Sequence, residues 1–167
     1  LRMPFSSLKR FLADFAVIAI FASLYFAAAK FGLLLAVAHP SASAIWPPTG
    51  LTLAAVILFG FRLWPGIFIG AFLANITTDG NLFTSLAIGV GNTLEGVVGA
   101  LLVMKFANGV NAFDRVRDCF VFLCSGAFVG PVFSATIGVT ALALGGYVSF
   151  SEYEFIWVTW WLGNAVS

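Results

Sequence analysis

Apolar residues run through this chain in long blocks, separated by a few breaks rich in polar residues, proline or glycine. The first block, Phe11 to Ala29, is long enough at about 1.5 Å per residue to cross a hydrocarbon core of about 30 Å. Asp14 lies one turn beyond Arg10 and can pair with it at the headgroup level. Lys30 can snorkel from the other end. Residues 31–38 stay apolar but are few, either a continuation of the helix or an interfacial piece. The sharpest break follows, Ser43-Ala44-Ile45-Trp46-Pro47-Pro48-Thr49-Gly50-Leu51. Two prolines remove two backbone donors and push the residues before them away from helical angles. Irregular backbone at membrane depth survives only where protein or a wet cavity satisfies it. The stretch therefore reads as a cavity wall or, alternatively, as a stiff connector.

Two short apolar pieces come next, 49–60 and 64–77, separated by Arg62 and the Trp64-Pro65 pair. Each crosses a bilayer alone only if tilted or extended; the alternative is a helical hairpin that dips into it. Short, proline- or glycine-interrupted segments often line transporter sites. Gly66, Gly70 and Ala74 form a small-residue stripe that admits a close helix neighbour. After the polar turn 77–81, a clear span covers 82–104 and Lys105 closes it. A charged loop holding Asp114, Arg115, Arg117 and Asp118 leads to a span over 119–144, where Pro131 predicts a kink. Gly126, Gly130, Ser134 and Gly138 form a second small stripe. A polar loop at 149–154 precedes a last apolar segment from Phe155, with Trp157, Trp160 and Trp161 suited to its interfacial end.

Composition turns this pattern into a class. Of 167 residues, 61% are hydrophobic and 9% are charged, far below the charged quarter or so of a soluble domain. The alternating strands of a membrane barrel are not visible. The sequence therefore predicts an all-α, polytopic membrane bundle of about six segments, some short or broken by proline and glycine, with the lipid bilayer as its first partner. The apolar run from Phe11 to Ala38 far exceeds the roughly 7–15 residues of a signal core. It is read as a retained span, although Ala42-Ser43-Ala44 resembles a cleavage site. The chain starts at Leu1 and stops at Ser167 inside an apolar segment, so it is expected to be a membrane domain, 1–167, of a longer protein, incomplete at its C-terminal end.

Charge adds an orientation. If six segments cross with the N-terminus cytoplasmic, Arg2, Lys9, Arg10, Arg62, Lys105, Arg115 and Arg117 lie inside and only Lys30 outside. Such a bias follows the positive-inside rule and favours 49–60 and 64–77 as true crossings, with the Trp-Pro-Pro stretch at the outer face. The net charge of +1 says nothing about nucleic acid, but no basic cluster is large enough to hold phosphates, so no nucleic-acid partner is expected. Cys119 and Cys124 fall on different helix faces with no further ligand nearby, so no metal site is expected and both read as core residues. No cofactor motif and no catalytic motif occurs. The one histidine, His39, has no nearby nucleophile, so this stretch is not expected to be an enzyme.

The candidate functional residues are polar groups inside the membrane. Glu95 lies near the middle of its span, where an ionised carboxylate costs several kcal/mol. It either keeps its proton or finds a partner. Ala87, Gly91, Glu95 and Gly99 recur every fourth residue, so Glu95 stands in a groove of small residues, with Asn92 one turn before it. Trp46, Pro47, Pro48 and Asn75 complete the ligand-binding or signalling candidates. Asp79 reads as a solvated loop residue and His39 as a pH-sensitive group in an outer loop. A structural reading of Glu95, as a group that only holds helices together, competes with the functional one.

Five motifs in order carry a resemblance: Ile45 to Leu51; Gly60-Phe61-Arg62-Leu63-Trp64-Pro65-Gly66; Ile69 to Asn75; Gly91-Asn92-Thr93-Leu94-Glu95; and Trp160-Trp161-Leu162-Gly163-Asn164. Together they resemble the MASE1 domain, a bacterial integral-membrane sensory module. The resemblance implies an N-terminal sensor of about eight spans in the inner membrane, fused to a cytoplasmic output domain such as a histidine kinase or diguanylate cyclase. It also implies a homodimer, the usual state of such sensors. The family pattern tends to have Asp where this sequence has Asn164, which bears on any charge-dependent role there. The expected function is signal input, detecting a small ligand or a membrane protein partner. A small-solute transporter or substrate-capture subunit is the rival, and a ligand-free docking anchor is the third reading.

Overall fold

The computed structural model describes residues 5–36 and 42–167, and His39 lies outside that description. The described chain is helical: α1 Phe5–Leu33, α2 Pro48–Phe59, α3 Trp64–Ile76, α4 Leu82–Phe106, α5 Val116–Phe122, α6 Gly130–Leu144 and α7 Tyr153–Ala165. Phe11–Leu33, Leu82–Phe106 and the continuous stretch Val116–Leu144 are long and apolar enough to cross a membrane. The large outward side chains, Phe11, Phe15, Phe59, Phe120 and Phe128 among them, are exposed apolar groups suited to lipid.

Proline and glycine set the short helices. Pro48 and Pro65 occupy the first turns of α2 and α3, where the missing N–H is no loss. Gly60 ends α2 with φ +89°, a conformation that favours glycine, and its N–H still caps the Val56 carbonyl. One tight turn, Phe61–Leu63, then passes directly into α3. The turn before α4 is fixed by a capping box: the Asn81 side chain accepts from the Thr84 N–H, and the Thr84 hydroxyl accepts from the Asn81 N–H.

The Gly66-Gly70-Ala74 stripe faces α1. A Cβ on Gly70 would lie 2.8 Å from Tyr25 Cβ and 2.9 Å from the Ala22 carbonyl oxygen, so the two backbones touch across this seam. Polar contacts close the seam at both ends. Arg62 pairs with Asp14 at 2.6 Å, and Lys30 donates to the Thr77 carbonyl and the Thr78 hydroxyl at 2.9 and 2.7 Å. Lys30 thus caps the end of α3 as well as reaching the polar side. The side chain of Arg10, the expected partner of Asp14, lies outside the described residues.

Pro131 does more than kink its helix. The stretch Leu123–Val129 just before it is wound as a π-helix, one of the ways a helix accommodates a residue with no N–H to donate. The Trp161 indole donates to the Phe128 carbonyl at 2.9 Å, giving that carbonyl a partner from outside the helix.

Two expectations need correction. Trp160 is not interfacial: it is buried, with its six-membered ring against Gly138, where the missing side chain leaves room. Cys124 is not a core residue but exposed on the outer surface, while Cys119 is half-buried and its thiol points to the Ala112 carbonyl. The apolar interior itself falls into two cores. One joins α1, α2, α3 and α4 through Tyr25, Trp46, Val56, Ile67 and Val103. The other joins α4, α6 and α7 through Ile88, Val139, Leu142, Ile156 and Trp160.

Candidate functional site

Glu95 lies where the two cores meet. It is 4% exposed, and the groove of small residues places it against α6: Gly130 packs on its carbonyl, and Gly91 packs on Ser134 and Ile137. The carboxyl is held by neutral donors from two other helices. Thr49, in the first turn of α2, donates its hydroxyl to Oε1 at 2.9 Å. Asn164 of α7 donates its amide to Oε2 at 2.8 Å, and its second N–H goes to the Ser134 hydroxyl at 2.9 Å. One buried side chain thus connects α2, α4, α6 and α7. Among the described residues no basic side chain reaches it, and no group of three His, Cys, Asp or Glu forms a metal set.

The geometry explains why α2 is short. With 12 residues it spans about 18 Å, well under a hydrocarbon core. Thr49 meets Glu95 and Thr52 packs on Gly96, both near the midpoint of α4, so α2 starts inside the bundle. Its N-terminal turn, carrying the positive end of the helix dipole, opens next to the carboxyl. The Trp-Pro-Pro stretch reaches this depth by docking on α7. The Trp46 N–H donates to the Gly163 carbonyl at 3.1 Å and to the Ser167 hydroxyl at 2.8 Å. Gly163 lacks a side chain where the Ser43 carbonyl approaches, and Gly32 of α1 receives Pro47 and the Trp46 ring. A side chain at either glycine would push the loop away.

The structure brings five of the six sequence candidates together, three in one pocket and two in the loop beside it. Pro48, Asn92 and Glu95 line one small pocket with Tyr25, Thr49, Thr52 and Gly96. Trp46 and Pro47 form the docked loop that places them, with Trp46 directly bonded to α7. Asn75 is not part of this group. Its amide donates to the Ala71 carbonyl, and its own carbonyl accepts from Thr78 and Gly80, so it closes the end of α3. Thr49, Thr52, Tyr25 and Ser134 were not singled out from sequence, although Thr49 stands inside the Trp-Pro-Pro motif and Ser134 inside the second small stripe. An apolar cleft of about 420 Å³ opens beside the network, sharing Thr49 and Asn164 with it and otherwise lined by side chains such as Leu53, Ile57 and Phe113.

A bundle of apolar helices with a buried carboxyl at its centre, held by neutral donors and reached by a broken helix, defines an integral-membrane protein organised around an internal polar site. The chain belongs to the MASE1 family, whose profile matches residues 5–167, and it is therefore a membrane sensory domain. Among curated proteins it is similar to the probable diguanylate cyclase DgcE of Escherichia coli (strain K12), 28% identical over 99 residues. That match covers 57% of this chain and 9% of the relative's length. No solved structure matches the chain.

Proposed function

We propose that this domain is the signal-input part of a longer inner-membrane protein, with its N-terminus in the cytoplasm, and that the Glu95 network is its sensing element. The observation carrying this reading is the carboxyl itself, buried with no cation near it among the described residues and held by Thr49 and Asn164 from two other helices. A small ligand in the adjoining cleft, or a membrane protein seated there, would compete for Thr49 or Asn164 and shift how α2 and α7 pack on α4. The input can move the output only by binding the two arrangements with different affinity. By analogy with the relative's printed name the output is a cyclase domain making cyclic di-GMP; a histidine kinase is the alternative, and a homodimer the working assembly. Catalysis would then belong to that output, not to this domain.

The test is Glu95→Gln in the full-length protein. Glutamine keeps the shape and can still accept from Asn164 while donating to the Thr49 hydroxyl, so the helices stay joined and only the carboxyl chemistry is lost. Output that is silenced or locked, with normal insertion and melting, supports the proposal. Unchanged output with a stable protein defeats it and leaves Glu95 as a packing residue. One feature favours a second reading, transport: a helix starting mid-bundle with its N-terminus at a carboxyl is common in solute carriers. Uptake of a solute by vesicles carrying the protein would decide for that.

A further inference from the structure

The pocket beside Glu95, between α1, α2 and α4, has an occupant that its own atoms specify. It is lined by Tyr25, Pro48, Thr49, Thr52, Asn92, Glu95 and Gly96 and measures about 10 Å³, room for one water molecule. Asn92 is 3% exposed and Thr52 is 2% exposed, yet both amide atoms of Asn92 and the Thr52 hydroxyl lack a hydrogen-bond partner. Buried polar side chains are paired in the great majority of cases, so three unpaired atoms lining one pocket point to a polar occupant.

The mixture of donors and acceptors identifies its chemistry. The Asn92 amide offers two N–H donors and one carbonyl acceptor, the Thr52 hydroxyl does either, and Tyr25 also lines the pocket. A bare cation would satisfy the oxygens and set its charge against the Asn92 amide hydrogens. A methyl-sized apolar group would satisfy nothing. Water both donates and accepts, and two to four partners are what a buried water needs. We infer that this pocket binds a single water, held by Asn92 and Thr52, which adds a second tie between α4 and α2 beside the Thr49–Glu95 bond and lies against Tyr25 of α1. The site does not depend on what the module senses. Its consequence is that the α1 face of the pocket meets α4 only across an exchangeable water, whereas α2 and α7 also hold Glu95 by direct bonds.

The test is the full-length protein in nanodiscs, imaged at a resolution that shows ordered water, with melting followed in sodium and in choline buffers. The expected result is one density peak within hydrogen-bond distance of Asn92 and Thr52, with the same melting midpoint in both buffers. Thr52→Val should lose the peak and melt several degrees lower, and Thr52→Ser should keep the peak. An empty pocket in the wild type overturns the inference. So does a peak accompanied by sodium-dependent melting, which would mark a cation. A Thr52→Val protein that melts at or above the wild-type midpoint overturns it too, because the hydroxyl would then have no partner to lose.

Discussion

The α1–α3 seam and the junction at Glu95 solve the same problem, joining helices in lipid, by opposite means. Along the seam, glycines let two backbones touch, and polar contacts sit only at the ends, Asp14–Arg62 and Lys30–Thr77/Thr78. At the junction, four helices meet around one carboxyl, through bonds from Thr49 and Asn164 to Glu95 and from Asn164 to Ser134. Lipid tails are as apolar as leucine, so close packing and buried polar pairs are the two forces available. Close packing has one good geometry and yields little. Hydrogen bonds to hydroxyl and amide groups can be exchanged for others at small net cost. On the proposed reading the seam is the fixed frame, and the junction the part that rearranges.

The largest effect should come from filling the frame. Gly70→Leu puts a branched side chain where Cβ alone would meet the Ala22 carbonyl oxygen and Tyr25 Cβ. Overpacking of this kind costs about 1–3 kcal/mol when side chains yield, and more when backbone is the obstacle. Fluorescence-detected size exclusion should show little monodisperse protein. A well-folded Gly70→Leu protein would mean that the seam is loose.

Next in size is Glu95→Leu, which leaves one buried Asn164 N–H and the half-buried Thr49 hydroxyl without their acceptor. At about 1–3 kcal/mol per unsatisfied group, melting should fall clearly below that of Glu95→Gln. If the two variants melt alike, the hydrogen bonds do not hold the junction together.

Much of the frame was legible along the chain, because its cause is local. Four-residue spacing of Gly66, Gly70 and Ala74 announces a close neighbour, and prolines 48 and 65 mark helix starts. The groove around Glu95 was legible for the same reason. What fills the groove was not. Thr49 reaches Glu95 across 46 residues of sequence and Asn164 across 69, and no local pattern links them. The same limit misplaced Trp160, whose seat is provided by Gly138 on another helix. It also left open whether 49–60 crosses, since a half-length helix is set by the residue it stops against.

A smaller effect should appear at the π-helical stretch. Trp161→Phe keeps the ring beside Phe128 and removes the indole donor from the Phe128 carbonyl. Losing one such bond should lower stability by about 1 kcal/mol. The clearer readout is faster amide exchange confined to 123–129 and its neighbours, with the α1–α3 seam unchanged. Exchange that rises equally in both regions would show that the junction does not move apart from the frame.

The smallest effect belongs to the charged end of the frame. Arg62 and Asp14 form a close pair, but their side chains are 52% and 37% exposed. Water and salt screen such pairs, and exposed ones contribute about 0–1 kcal/mol. Arg62→Ala should therefore leave melting within about a degree or two of wild type, and that difference should shrink further in high salt. Its effect should show instead in topology, if the positive-inside rule is what keeps the α2–α3 turn on the same side as the start of α1. Cysteine labelling across the turn of Arg62→Ala, with Asp14 intact, should reveal a mixed orientation. If the turn stays wholly on one side, the glycine seam alone fixes it, and the frame needs no charge.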